Sequence, residues 1–173
     1  MGVSIYGVSI PKRSKKKQNQ DLGEVFCYKG FERSLPSFEK TWWDYEKDQY
    51  SKNGLNVSYG YYNSLREEMA RVFLNTTPER IWNNCGKLKK HQRYGRNLYF
   101  IINFADNEGY IGPTAVKKMR KYLTAKRVQK ALGKVKDKQT RKYLEDLINC
   151  IKETASMPNG YICFSWQILK IYL

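Results

Sequence analysis

Between Ala115 and Glu145 the chain carries twelve basic residues and two acidic ones, a local charge of +10. No stretch so cationic can be buried, so it must lie on a surface and touch the core only along a narrow apolar stripe. Val116, Met119 and Leu123 supply such a stripe at helical spacing, and Tyr143, Leu147 and Ile151 supply the next one. Pro113-Thr114 marks a helix start and Gly133 an interruption. The C-terminal half is thus expected to be a basic helical region lying on something else.

That something is a small sheet. Residues 3–10 are β-branched and partly alternating, and Pro11 ends them. A second short strand is expected at 24–28 and a terminal one at 161–166, with an extension to Leu173 as the alternative, after the Pro158-Asn159-Gly160 turn. The run Leu98 to Ala105 is almost wholly apolar, which predicts a central strand covered on both faces. Phe38, Trp42 and Tyr45, following Pro36, share a helical face, and Asn53-Gly54 reads as a turn. Tyr61, Leu65, Met69 and Phe73 recur every four residues, predicting a helix over 58–74 whose wet side holds Arg66, Glu67, Glu68 and Arg71. Thr77 and Pro78 suit the cap and first position of a short helix carrying Ile81, Trp82 and Cys85. The expected fold class is α+β, a small mixed β-sheet with helices packed on it, in a single domain over 1–173 with a basic, mobile loop near 12–20.

Over its 173 residues the chain has 32 basic and 16 acidic residues, a formal +16. Three segments hold the excess: five bases at 12–17, five at 87–96 and those of 115–145. Mean hydropathy is -0.71, yet 14 Tyr, 7 Phe and 4 Trp leave ample material for a core. Charge on this scale favours polyanionic partners and salt-sensitive association. A charge run is more often simply a solvated face, but ordinary solvated helices mix both signs, and this one does not.

Within the basic region Lys117, Lys118, Arg120, Lys121, Lys126, Arg127, Lys130 and Lys134 recur at short intervals, so several share a face that can neutralise phosphates. In the 87–96 segment Lys87, Lys89, Lys90, Arg93 and Arg96 surround His91 and Tyr94, and Tyr94 is a candidate stacking residue for an unpaired base. The commoner role of such a tyrosine is to pack beneath its own loop. The aromatics Trp42, Trp43, Tyr45, Tyr59, Tyr61 and Tyr62 are expected in the core, with a protein interface as the alternative.

Catalytic chemistry is sparse. His91 is the sole histidine, and between it and Cys85 lie Gly86 and a lysine-rich loop that give no preorganised pair. Phosphate-loop, zinc-protease and nucleophile-elbow motifs are absent. Asp106, Asn107 and Glu108 before Gly109 are better read as a helix-capping turn than as a calcium loop, whose twelfth position would fall on Lys117. Asp44, Glu46, Asp48, Glu67 and Glu68 form a metal-dependent nuclease site only if the fold gathers them. No enzyme, cofactor or metal is expected.

Cysteines 27, 85, 150 and 163 show no metal spacing and read as reduced thiols. The start lacks a signal peptide, Tyr6 spoils a myristoylation pattern, and no eighteen-residue apolar run exists. The expectation is a cytoplasmic protein with no membrane partner, on which the sequons at Asn56 and Asn75 are chance matches.

Four short segments carry a resemblance: Met1-Gly2-Val3-Ser4-Ile5-Tyr6, with Ser4 where an acid is usual; Val57-Ser58-Tyr59-Gly60-Tyr61-Tyr62 entering a helix; Phe104-Ala105-Asp106-Asn107-Glu108-Gly109; and Asn159-Gly160-Tyr161-Ile162-Cys163-Phe164. Together they resemble a broad family of small bacterial and phage proteins. The resemblance implies an α+β fold and a bacterial or phage source, and it assigns no catalytic residue. Three functional classes remain, the last of them the metal-dependent nuclease that the carboxylates named above would form if gathered. One is a non-enzymatic protein binding RNA or DNA by backbone and shape. Another is a phage-encoded protein–protein inhibitor that docks its basic face on an acidic surface of a host defence nuclease or nucleoprotein.

Overall fold

The computed structural model describes residues 2–9, 49–82, 98, 101–102 and 109–167. Strand β1 (Gly2–Ser9) lies in the sheet interior, between β2 (Gln49–Ser58) and β4 (Gly160–Gln167), and β3 (Gly109–Ile111) pairs with the far edge of β4. The order is β2-β1-β4-β3, and every described pairing is antiparallel, where a mixed sheet was expected. The fold is α+β, as the sequence predicts.

Alternation along β1 sends Val3 and Ile5 to the helical side, where Leu55, Val57, Ile162 and Phe164 join them. Helix α1 (Tyr59–Met69) follows β2 directly, with Ser58 accepting from the Tyr61 amide at 3.4 Å. After the short α2 (Pro78–Trp82) and β3 come α3 (Pro113–Tyr122), α4 (Ala125–Leu132) and α5 (Lys138–Thr154). Val116, Met119 and Leu123 of the α3 segment and Leu147 and Ile151 of α5 are buried, so both apolar stripes face inward as expected. Helix α5 crosses β2, β1 and β4 and also packs on α1 and α3. Thr77 caps α2 as the sequence predicts, taking the Arg80 amide on its hydroxyl at 3.4 Å.

Three expectations are corrected. First, the described residues of the strand expected over 98–105 are not extended: Leu98 is in a turn and Ile101 and Ile102 are helical. A short apolar run looks the same in a buried strand and a buried helix. All three side chains are buried, and two carbonyls are taken by side chains of α1. Tyr62 donates its hydroxyl to Ile101 O at 3.0 Å, and Arg66 donates Nε to Ile102 O at 2.6 Å. Second, Arg66 is therefore buried, at 3 % exposure, while Tyr61 is 48 % exposed. The inner face of α1 runs through Tyr62, Leu65, Arg66 and Met69, one position round from the stripe read in sequence.

Third, Asn53-Gly54 is not a turn between elements but part of a bulge inside β2. Tyr6 faces Gly54 and Val8 faces Tyr50, so residues 51–53 stand opposite Gly7 alone. Ser51 Oγ accepts the Gly7 amide at 2.8 Å in place of a strand carbonyl. The bulge is pinned to α5 by the Glu153 carboxylate, which accepts the amides of Lys52 at 2.8 Å and Asn53 at 2.9 Å and the Asn53 side chain at 2.8 Å.

Those two backbone amides hold the Glu153 carboxyl below its ordinary value of 4.5. A carboxyl depressed in the folded state contributes stability in full above that ordinary value, and the contribution is lost as pH falls through the lower folded one. The melting temperature is therefore expected to drop more steeply below pH 4.5 in the parent chain than in Glu153→Gln. Parallel acid limbs for the two proteins in thermal melts would show that the clamp contributes nothing.

The segments 10–48 and 83–97, with the expected strand at 24–28, the Phe38–Tyr45 helix and the loop at 12–20, lie outside the described residues.

Candidate polyanion-binding groove

All twelve bases between 115 and 145 are exposed, and among the described residues none of them forms an ion pair. Asp137 is occupied as the α5 cap, accepting the Thr140 amide at 2.6 Å. Arg120 donates to Ser156 Oγ at 2.8 Å, and Arg141 donates twice to the Val135 carbonyl. No hydrogen bond is described for Lys117, Lys118, Lys121, Lys126, Lys130 or Lys134 side chains, whose charge faces solvent.

These cations do not form one continuous row. Leu123, at φ -80 and ψ 57, leaves the helical region, and Thr124 starts α4 by accepting the Arg127 amide at 3.4 Å. A threonine that can take up a free amide favours a new start over a continued helix. The break puts Lys117, Lys118, Arg120 and Lys121 on α3 and Lys126, Arg127 and Lys130 on α4, with Lys134 just beyond Gly133.

The break also opens a groove. Arg127, Lys130, Ala131 and Lys134 form one wall, and Arg71, Val72, Phe73 and Asn75 the other, with Tyr122 touching Phe73 and Arg127 between them, around a volume of about 430 Å³. The second wall exists because α1 does not end as an α-helix. Ala70–Leu74 widens into a π-helical turn, and Asn75 stops it in the left-handed region at φ 50. The Phe73 carbonyl then accepts the Tyr122 hydroxyl at 2.8 Å, and the two rings lie 6.5 Å apart.

Arg71 is held at both ends of its guanidinium. It pairs with Glu68, Nε to Oε1 at 3.0 Å and Nη2 to Oε2 at 2.5 Å, and Nη2 also reaches the Lys134 carbonyl at 2.9 Å. Its charge is thus offset, and its role is to fix the loop carrying Lys134. Among the described residues Lys130 and Lys134 have no such neutralising partner. Arg127 donates to the Tyr122 carbonyl at 3.2 Å and lies over the Tyr122 ring with Cζ 4.6 Å from the centroid. Burial pushes the Tyr122 phenol up, against a smaller opposing effect of Arg127. Tyr122 therefore remains a neutral donor at physiological pH.

Of the predicted residues, the groove unites Arg127, Lys130 and Lys134. Lys117, Lys118, Arg120, Lys121 and Lys126 are exposed but do not line it. Lys87, Lys89, Lys90, Arg93, Tyr94 and Arg96 lie outside the described residues, as do His91, Cys85 and the 106–108 turn. Arg71, Phe73 and Tyr122 were not singled out as site residues from the sequence. The one signal for them is the helix end at Asn75, four residues after Arg71.

Among the described residues no group of three or more His, Cys, Asp or Glu side chains is placed to hold a metal. Of the adjacent carboxylates Glu67 and Glu68, the second is committed to Arg71. Burial raises the Cys150 thiol, the opposite of what a nucleophile requires. No family model matches the chain, and no curated protein or solved structure matches it either.

Proposed function

We propose that this chain is a non-enzymatic nucleic-acid-binding protein of bacterial or phage origin, acting in the cytoplasm. The observation that supports the reading best is the set of exposed cations on α3, α4 and the following loop that form no ion pair among the described residues, three of which, Arg127, Lys130 and Lys134, line one groove. Lysine ammonium groups free of carboxylates displace condensed counterions from phosphates, a source of affinity that carries little base information.

A salt series with unrelated RNA and DNA tests it. Engagement of the three groove cations alone gives log affinity against log salt a slope of about -2.7, and additional cations of α3 steepen it. Weak or salt-independent binding to both nucleic acids, with tight binding to one acidic host protein, would replace this reading with the inhibitor one.

A further inference from the structure

We infer that the groove accepts an unpaired nucleotide, so that the protein prefers single strands to duplex; the inference rests on the nucleic-acid reading above. A guanidinium is a flat cation with two faces. The Tyr122 ring lies against the Arg127 guanidinium, with Cζ 4.6 Å from its centroid, and a hydrogen bond to the Tyr122 carbonyl at 3.2 Å holds the group in place. Arg127 is exposed and lines the groove, so its second face is presented to whatever enters. Such a plane, backed by an aromatic ring, is a stacking platform for a nucleobase.

The remaining geometry supplies the other half of a nucleotide site. Lys130 lies one helical turn from Arg127 on the same wall, and Lys134 follows on a loop fixed by Arg71. Both ammonium groups are available for the phosphate attached to a stacked base. The volume of about 430 Å³ falls in the range of small-ligand pockets, about 300–1,000 Å³. A paired base, stacked within its own helix, cannot reach the Arg127 plane without leaving the duplex. Phosphates alone, by contrast, favour the duplex, whose denser charge releases about 0.9 counterion per contact against about 0.7 for a single strand. Strand preference therefore isolates the stacking component from the charge.

Fluorescence anisotropy with a labelled single-stranded oligonucleotide of about ten nucleotides and the matching duplex, at one salt concentration, tests the assignment. The parent chain is expected to favour the single strand by about tenfold. Arg127→Lys keeps the charge and removes the plane, so it is expected to abolish the preference with the salt slope retained. Lys130→Gln is expected to weaken both ligands and lower the slope by about 0.9 for the duplex and about 0.7 for the single strand, leaving a preference for the single strand. Circular dichroism establishes that both variants fold. Equal affinity of the parent for the two ligands, or a preference that survives in Arg127→Lys, would overturn the assignment while the nucleic-acid reading stands. Binding of neither ligand at low salt would remove both.

Discussion

A triple variant with Arg127→Gln, Lys130→Gln and Lys134→Gln is expected to bind nucleic acid on the order of 30-fold more weakly than the parent at low salt. Each screened phosphate contact is worth about 0.7 kcal/mol, and three act together. The more diagnostic change is in the salt dependence, whose slope falls by about 2.7 on duplex DNA and about 2.1 on a single strand, because three fewer phosphates are neutralised. At high salt the two proteins converge. Fold is preserved, since all three side chains are exposed and only Arg127 makes a hydrogen bond, to a carbonyl. A second triple variant, Lys117→Gln, Lys118→Gln and Lys121→Gln, removes the same charge from α3, outside the groove. If it weakens binding as much as the first, the groove has no special part and the whole basic surface acts by net charge.

Gly160→Ala is expected to lower the unfolding free energy by about 3 kcal/mol, the upper part of the range for overpacking a filled interior. A chain of this length then melts roughly 6–12 °C lower. At Gly160 an added methyl group would run into the Thr154 carbonyl oxygen and lie 3.0 Å from its carbon, and backbone there cannot give way without unwinding the end of α5. Gly7→Ala meets the same residue from the neighbouring strand, at its hydroxyl and 2.9 Å from its Cβ. Thr154 cannot turn aside freely, because its hydroxyl donates to the Cys150 carbonyl at 2.7 Å. Two glycines on paired strands thus let the last turn of α5 come down onto the sheet. Gly133→Ala is the contrasting case. Gly133 has φ -63, and the nearest atom to an added methyl group is 3.4 Å away. Alanine there is expected to raise stability by about 0.5 kcal/mol through the unfolded chain. Equal melting temperatures for Gly160→Ala and the parent in calorimetry would refute the close approach.

Elements whose identity is written in local chemistry were legible in the sequence. β1, α2 with its Thr77 cap, the inner stripes of α3 and α5, and the Pro158–Gly160 turn into β4 all fall where periodicity and capping residues place them. What the sequence hid depends on partners far along the chain. Asn53-Gly54 has a strong local turn preference, and it becomes a bulge because Glu153, a hundred residues later, collects its amides. Arg66 carries a charge and reads as a solvent-facing residue, yet the Ile102 carbonyl inside the core and the half-buried Asn63 offer it acceptors. Leu98–Ala105 gave no periodicity by which to separate strand from helix.

The groove was half legible for the same reason. Composition located Arg127, Lys130 and Lys134, because unbalanced charge needs no knowledge of the fold. It could not supply Arg71, Phe73 and Tyr122, which reach the groove only through a π-helical turn and a helix break. Neither feature has a residue signature strong enough to read alone: the break rests on one threonine, and the turn ends at one asparagine.

The strand order has a consequence for synthesis on the ribosome. β1 can find β2 early, but its other edge pairs with β4, with Ile5 opposite Phe164. That partner is translated about a hundred residues after β2, which takes about 5–20 s at ordinary elongation rates. Throughout that interval the nascent chain displays an open hydrogen-bonding edge of β-branched residues beside a cationic helical segment. A message cut short before codon 160 yields a chain whose sheet can never close, and such products collect as aggregate instead of surviving as a folded fragment.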